Sequence, residues 1–349
     1  MENKNQHIVF LTPGFAESEA DSTTIPALQV FLKSLRKTIP NASLTILAFQ
    51  FPFSKKKYNW YGIEVIPLNG QNKRYKKLLV WEKAFRILQK MHKTKKIDAI
   101  HSFWIGECSQ IGQRFSIKYN INHIITVMGQ DASIKNLYAK KLVNSNAKIV
   151  SLSPNHQAKL LETHNLSSII ISWHIDTLNF PDLQDNTIDI LGVGSLNTIK
   201  NYNNFIEIIY TITKTYKTLN IAIIGNGSLQ KELQQKIKLL GLEHTITLLG
   251  ELTRSEVLNT MAKSNILLHT SSFESFGFVF LEALYSGMHL VSYDVGIAKT
   301  SKKWTIGNDK SELIEACKNL LSLPNRQKKR VELNSESATI NAYLNLYSA

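Results

Sequence analysis

Residues 264–296 contain the pattern that most constrains the fold of this chain: two short apolar runs separated by a glycine that opens a helix. The run Ile266-Leu267-Leu268 predicts a buried strand, and a polar turn follows it. Gly277 then precedes a helical pattern from Phe278 to Leu284, and residues 289–292 predict the next strand. In a parallel sheet, a unit of this kind places its first turn at the carboxyl end of a strand, where ligands bind.

Two carboxylates flank this predicted helix start. Glu274 lies in the turn, and Glu282 lies about one and a half turns inside the helix, so both can face one crevice. The backbone N–H groups of residues 276–278 form a helix start that attracts phosphate or sugar oxygens. Carboxylates are poor phosphate ligands but accept hydrogen bonds from hydroxyl groups, so we expect a sugar or a ribose. The alternative is a structural turn with one solvated Glu and one Glu that caps a helix.

Strand and helix patterns alternate along the rest of the chain, which predicts an α/β protein with parallel sheets. The predicted strands lie at residues 7–11, 43–49, 63–67, 97–101, 123–128, 147–152, 188–194 and at the start of 221–227. The predicted helices lie at residues 25–35, 75–92, 229–240, 309–322 and 326–347. Ser22 and Thr23 are expected to cap the first of these helices.

The predicted helix at residues 75–92 is amphipathic. Its apolar face is formed by Leu78, Trp81, Phe85 and Leu88. Such a face packs against a sheet more often than it enters lipid, and we expect sheet packing here.

The charge is distributed unevenly along the 349 residues. Residues 1–180 contain 24 Lys and Arg against 11 Asp and Glu, whereas residues 181–349 are nearly neutral, with 17 against 16. A one-sided positive field favours an anionic surface or substrate, and the anionic leaflet of a membrane is one candidate. Charges that serve only solubility are the alternative. The two cysteines, Cys108 and Cys317, lack metal-ligand spacing and fit a reducing compartment.

The segment S-F-E-S-F-G-F-V-F-L-E-A-L-Y-S-G resembles the signature of the retaining, nucleotide-sugar-dependent glycosyltransferases of family four, which have the GT-B fold. The resemblance implies two Rossmann-like doubly wound domains that face each other across a cleft. Residues 1–180 would bind the acceptor, residues 181–325 would bind the donor, and residues 326–349 would form a helix that returns to the first domain. No metal or other cofactor is implied, so the leaving diphosphate would need charge from the protein itself.

The resemblance also assigns roles to residues of the second domain. Glu282 would accept from the ribose hydroxyls, Glu274 would hold a hydroxyl of the transferred sugar, and Lys200 would meet the diphosphate. Ser195 stands where the family usually has Arg, so one expected contact lacks its charge. The implied donor-binding residues are Gly14, Ser195, Lys200, Gly225, Gly227, Leu252, Glu274, Phe276, Gly277, Phe278 and Glu282.

The first domain departs further from the family pattern. Met128 stands where many members have a His close to the donor sugar. His101 ends one predicted strand and Asp131 follows another, and we add both to Glu274 and Lys200 as catalytic candidates. A plain histidine of the cleft wall is the alternative for His101.

The sequence therefore predicts a cytoplasmic glycosyltransferase, with peripheral binding to the inner face of the membrane as one reading of its charge. It would transfer a sugar to a glycan or a lipid-linked acceptor in surface glycan or glycolipid synthesis, and nucleic acid is not an expected partner. Two alternatives stay open: a GT-B sugar-nucleotide epimerase or phosphorylase, and a non-catalytic subunit that binds a sugar nucleotide.

Overall fold

The computed structural model describes residues 6–143, 145–324 and 328–348, without the side chain of Gln130. These residues form two compact units. The first unit runs through His174 and resumes at Asn334, and the second unit spans Ile175–Leu333. The sequence-based boundary at residue 180 assigns residues 175–180 to the first domain, whereas the structure places them in the second unit.

The first unit is built on an eight-stranded sheet with the order β3-β4-β2-β1-β5-β6-β7-β8. Its strands are β1 His7–Gly14, β2 Ser43–Phe51, β3 Tyr58–Trp60, β4 Ile63–Pro67, β5 Ala99–Phe103, β6 Asn122–Thr126, β7 Lys148–Ser151 and β8 Ile169–Ile170. The pairing of β3 with β4 is antiparallel, and the other neighbours pair in parallel. Parallel strands covered on both faces are apolar along their whole length, which is why the strands of this unit lack an alternating pattern.

The second unit contains a six-stranded parallel sheet with the order β11-β10-β9-β12-β13-β14. Its strands are β9 Ile188–Val193, β10 Ile221–Ile224, β11 Ile246–Gly250, β12 Ser264–His269, β13 His289–Ser292 and β14 Trp304–Ile306. The predicted α/β fold with parallel sheets is confirmed.

Ten α-helices connect or cover these strands in the described part of the chain. They are α1 Pro26–Thr38, α2 Lys77–Thr94, α3 Glu107–Tyr119, α4 Pro154–His164, α5 Tyr202–Thr213, α6 Gln230–Leu239, α7 Arg254–Ala262, α8 Phe278–Tyr285, α9 Lys310–Leu321 and α10 Glu336–Ser348. The predicted tail helix at 326–347 is shorter in the structure, and its first two residues lie outside the described part of the chain. None of the described helices is long and apolar enough to cross a membrane.

Helix α10 belongs to the first unit, where it contacts α1 and β6. Its Tyr343 and Tyr347 side chains are buried, and the hydroxyl of Tyr343 accepts a hydrogen bond from Nε1 of Trp173 at 3.0 Å. The chain thus returns to its first unit through α10.

The predicted cap of α1 is wrong. The helix begins after Ile25, which has a left-handed backbone with φ of 51°, and no described side chain caps it. Ser22 and Thr23 lie instead in a turn that Asp21 organises, because its Oδ1 accepts from the N–H groups of Thr23 and Thr24 at 3.1 and 3.0 Å. An Asp side chain satisfies the backbone of a turn as well as it caps a helix, and the sequence does not distinguish the two.

The predicted apolar face of α2 is only partly correct. Phe85 and Leu88 are buried with Val80 and Ala84, but Leu78 is 75% exposed. The buried stripe follows Val80, Ala84 and Leu88 at intervals of four residues. Leu78 lies in the first turn, off this stripe, and faces solvent.

Candidate functional site

The loops after β9 and β10 pack backbone against backbone at the carboxyl edge of the second sheet. The N–H of Gly194 donates to the carbonyl of Ile224 at 3.0 Å, and the N–H of Leu196 donates to the carbonyl of Asn226 at 3.0 Å. A Cβ atom on Gly225 would overlap the carbonyl oxygen of Gly194, and Gly225 has a φ of +144°. Only glycine fits this position, because the two loops approach each other so closely here.

Lys200 and Glu274 meet at this edge, although they are far apart in the sequence. The loop after β9 carries Lys200, and Nζ of Lys200 forms an ion pair with Oε1 of Glu274. Thr270 holds the backbone of Lys200 in place, because the Thr270 hydroxyl donates a hydrogen bond to the carbonyl of Lys200 at 3.0 Å. Both charged side chains are only partly exposed, at 22% for Lys200 and 14% for Glu274. The structure thus brings the two residues together as one cluster.

His269 is the third member of this cluster, and the sequence analysis missed it. It is the last residue of β12, it is buried, and its Nε2 lies 2.8 Å from Oε1 of Glu274. Burial lowers the pKa of His269, so the ring is neutral at pH 7. Because an ionised carboxylate can only accept, the proton of the neutral ring must lie on Nε2. The residue itself is visible in the sequence, but nothing in the pattern around it predicts that it turns toward Glu274.

The charge state of Glu274 follows from these neighbours. Burial alone would raise the pKa of Glu274, but the hydrogen bond from His269 and the charge of Lys200 outweigh burial and lower this pKa to about 2. Glu274 is therefore ionised at neutral pH. It can accept a hydroxyl proton in a hydrogen bond, and it cannot serve as a proton donor.

The predicted helix start after the turn is confirmed: α8 begins at Phe278 and Gly277 is its N-cap, with φ of 90°. Phe276 is buried, and its carbonyl accepts from the N–H of Ile297 at 3.0 Å. This bond ties the turn to the loop after β13. The turn that holds Glu274 is therefore held rigid from both sides, by Lys200 and by residue 297.

Glu282 faces Arg254, a second residue that the sequence analysis missed. Nη1 of Arg254 forms an ion pair with Oε1 of Glu282, and the two side chains are 26% and 12% exposed. Arg254 is the first residue of α7, where Thr253 and Glu256 form a capping box. The T-R-S-E pattern could have located this helix start from sequence. It could not have shown which acid the arginine contacts.

The remaining donor-binding candidates of the second unit occupy the same loops. Ser195 and Gly227 are exposed after β9 and β10, and Phe278 is half-buried at the start of α8. Leu252 lies after β11, where it packs against the core of the unit. Phe276, Gly225 and Gly277 lie in the turns described above.

The other three candidates, Gly14, His101 and Asp131, lie in the first unit. Gly14 is the last residue of β1, is buried and pairs with Phe51 of β2. His101 is fully buried in β5, where Nδ1 is 2.7 Å from the hydroxyl of Tyr347 and Nε2 is 2.7 Å from Oγ1 of Thr126. Both ring nitrogens are occupied within the protein core. This environment gives His101 a structural role, and it corrects the expectation that His101 faces a substrate.

Asp131 is also used internally. It is 8% exposed, its Oδ2 accepts from the N–H groups of Ile105 at 2.9 Å and Met128 at 3.2 Å, and its Oδ1 accepts from the N–H of Gly129 at 2.7 Å. Burial raises the pKa of Asp131, and these backbone bonds oppose that rise. The carboxylate thus joins the loop after β6 to the loop after β5. A strand-end Asp of this kind organises loops, which differs from the catalytic role expected of Asp131 from the sequence.

Comparison with known proteins places this geometry in context. Residues 177–335 match the family model Glycosyl transferases group 1. An uncharacterised glycosyltransferase of Methanocaldococcus jannaschii is 25% identical over 278 residues, which cover 78% of this chain and 76% of that protein.

Two solved structures have the same fold. The sucrose-phosphate synthase of Thermosynechococcus elongatus has a TM-score of 0.72 and 13% identity, covering 98% of this chain and 93% of that one. HepE of Anabaena, solved with UDP and glucose, has a TM-score of 0.67 and 16% identity, covering 98% of this chain and 94% of that one. The fold is therefore that of the GT-B glycosyltransferases.

Proposed function

Because residues 177–335 match the family model Glycosyl transferases group 1, we propose that this protein transfers a sugar from a nucleotide-sugar donor to an acceptor hydroxyl, with retention at the anomeric carbon. The observation that carries this proposal is the cluster of Lys200, Glu274 and His269 at the carboxyl edge of the second sheet. In this cluster Lys200 supplies a positive charge that can bind a phosphate, and Glu274 is held ionised so that it can accept a hydrogen bond from a hydroxyl group. The similar fold of HepE, solved with UDP and glucose, supports a nucleotide-sugar donor.

Each group of the cluster has a defined task in this proposal. Lys200 neutralises the leaving diphosphate, together with the backbone at the start of α8. Glu274 accepts a hydrogen bond from a hydroxyl of the transferred sugar, and His269 keeps Glu274 oriented. Glu282, held by Arg254, accepts from the ribose hydroxyls. No metal takes part in the proposed reaction.

We place the acceptor in the first unit and the protein in the cytoplasm, at the inner face of an anionic membrane. Two features of the first unit support this placement. Leu78 and Leu79 in the first turn of α2 are 75% and 72% exposed, and Tyr75, two residues before the helix, is 73% exposed. Lysines and one arginine surround them at residues 73–77. Apolar side chains within a basic segment bind anionic lipid surfaces. Such a location fits an acceptor of a surface glycan or a glycolipid.

The lipid part of the proposal is tested separately with vesicles. Binding should require anionic lipid and weaken as salt rises, because the attraction is screened. Leu78→Ser with Leu79→Ser should lower binding to these vesicles. Leu239→Ser is the control, since Leu239 is 85% exposed on the other unit. Equal binding to neutral vesicles would contradict the proposal.

The transfer itself is tested with a panel of nucleotide sugars. A thermal shift identifies the donor, and NMR of the product with an added acceptor gives the anomeric configuration. Release of free sugar or transfer with retention supports the proposal. Transfer with inversion would overturn the retaining mechanism.

A non-catalytic subunit that binds a sugar nucleotide is the second candidate. Two substitutions favour it, Ser195 in place of the usual Arg and Met128 in place of the usual His. Tight binding of a donor with neither hydrolysis nor transfer would support this candidate.

A further inference from the structure

The first unit contains a cavity that the mechanism above does not use. Its volume is about 340 Å³, within the range of small-ligand pockets. It opens at the carboxyl ends of β1, β2 and β5, the edge of a parallel sheet at which ligands bind. Its lining residues are Pro13, Phe49, Gln50, Asn72, Lys73, Arg74, Lys77, Phe103, Trp104, Gly106, Glu107 and Cys108.

The charged side chains of this cavity are predominantly positive. The lining contains three bases, Lys73, Arg74 and Lys77, and one acid, Glu107. Nζ of Lys77 lies 3.8 Å from Oε1 of Glu107 and is hydrogen bonded to the hydroxyl of Tyr138, so Lys77 and Glu107 largely offset each other. Lys73 and Arg74 remain as the excess positive charge at the mouth, and both are exposed. An anionic group placed there would be attracted.

Glu107 is held in a fixed position. Its Oε2 accepts from Nε2 of Gln50 and from Nε1 of Trp81, both at 3.1 Å. Gln50 is in turn fixed, because its Oε1 accepts from the N–H of Asn72 at 2.9 Å. This network joins β2, α2 and the loop that carries Lys73. A carboxylate held in this way is a ready acceptor for a sugar hydroxyl.

Trp104 adds an aromatic wall. It is half-buried in the cavity lining, and its backbone has a φ of 65°. A bulky residue rarely adopts this left-handed conformation, and such strain persists mainly where function requires the side chain. An indole ring at this position can pack on the apolar face of a sugar ring.

We propose that this cavity binds the acceptor, and that the acceptor is an anionic saccharide carrying a phosphate or a carboxylate. Lys73 and Arg74 bind its charge, Trp104 packs on its ring, and Glu107 accepts from a hydroxyl. The inference rests on the proposed function, since it names the acceptor class of that reaction.

The test is calorimetric titration with glucose 6-phosphate, glucuronic acid and glucose, in saturating UDP so that a phosphate site in the second unit is occupied. Both anionic sugars should bind at least about tenfold more tightly than glucose, a difference that salt reduces. A preference for glucose 6-phosphate alone would identify phosphate as the charge that is read. A preference for both would identify any anionic saccharide.

Paired variants assign the effect to the cavity. Lys73→Ala with Arg74→Ala should abolish the preference for the anionic sugars. Lys55→Ala with Lys56→Ala removes the same charge from exposed residues of the same unit that do not line the cavity, and should change the affinities by less than about twofold. Trp104→Gly keeps the fold, since glycine adopts a positive φ without strain, and should weaken glucose and glucose 6-phosphate by the same factor.

Equal affinity for the three sugars, or equal effects of the two paired variants, would overturn the inference. The proposed function fails by a different result, namely no binding of any nucleotide or nucleotide sugar by the second unit. The two failures are therefore distinguishable in one set of titrations.

Discussion

Both units have polar residues near the carboxyl edge of a parallel sheet. In the second unit these side chains stay partly exposed, whereas in the first unit they are buried and hydrogen bonded within the protein. In the second unit Lys200 and Glu274 converge from separate loops and remain partly exposed. In the first unit His101 lies in β5 near its carboxyl end and Asp131 follows β6, but their polar atoms are bound within the protein. A position at the carboxyl end of a strand therefore does not define a functional residue. What differs is exposure: His101 and Asp131 are 0% and 8% exposed, whereas the side chains of Lys200 and Glu274 keep 22% and 14% of their surface accessible to a ligand.

The units also differ in how charge is arranged. At the edge of the second unit each acid has its own base, Glu274 with Lys200 and Glu282 with Arg254. The cavity of the first unit carries more bases than acids. A paired acid is held in position to accept a hydrogen bond from a hydroxyl group, whereas an excess of positive charge attracts an anionic ligand. We therefore propose sugar hydroxyls as the partners of the two acids in the second unit and an anionic acceptor as the ligand of the cavity in the first unit.

Removing the positive charge of Lys200 is expected to have the largest effect on activity. Lys200→Ala should lower turnover by about 10²-fold or more, because the charge of the leaving diphosphate then lacks its partner. Steady-state rates with the identified donor measure this. Lys217→Ala, an exposed lysine of the same unit, is the control and should be near normal. A normal rate for Lys200→Ala would mean that another cation serves the phosphate.

The charge pairing of Glu274 should appear as acid sensitivity. Its pKa is about 2 in the folded protein, against roughly 4.3 in an unfolded chain. A depressed pKa contributes stability that is complete above the unfolded value and is lost as the pH falls toward 2. The wild type should therefore lose about 3 kcal/mol more than Glu274→Gln between pH 5 and pH 2. Urea unfolding at each pH measures it, and parallel curves would show that Glu274 has no special charge environment.

The next prediction tests whether His101 of the first unit has a structural role and not a catalytic one. His101→Ala should lower the free energy of unfolding by about 2–3 kcal/mol, because the hydroxyls of Tyr347 and Thr126 lose their buried partner. Nucleotide affinity of the second unit should stay unchanged. His244→Ala, an exposed histidine, is the control and should leave stability unaltered. Normal stability with a large loss of turnover would restore a catalytic role for His101 and break the comparison.

The smallest expected effect concerns Glu282 and Arg254. Glu282→Ala should weaken donor binding by about 1–3 kcal/mol, because a charged hydrogen bond to the ribose is lost. If Arg254 only positions Glu282, the double variant should lose no more than Glu282→Ala alone, which calorimetry of the four proteins shows. Additive losses would indicate that Arg254 contacts the donor directly.

The sequence by itself determined the α/β fold, the strand-helix-strand unit around Gly277 and the acids at 274 and 282. These features depend on local periodicity and on glycine positions, and both are written in short stretches of chain. The sequence also separated a basic first half from a neutral second half.

Tertiary structure alone decided which groups meet. Arg254 and Glu282 are contributed by different helices, and His269 at the end of β12 and Lys200 in a loop reach one carboxylate oxygen. The side of α2 that is buried, and the internal use of His101 and Asp131, also depend on packing between distant segments. The sequence shows which polar residues are present. Which of them are buried, and which residues they bond to, depends on distances that are set only when the chain folds.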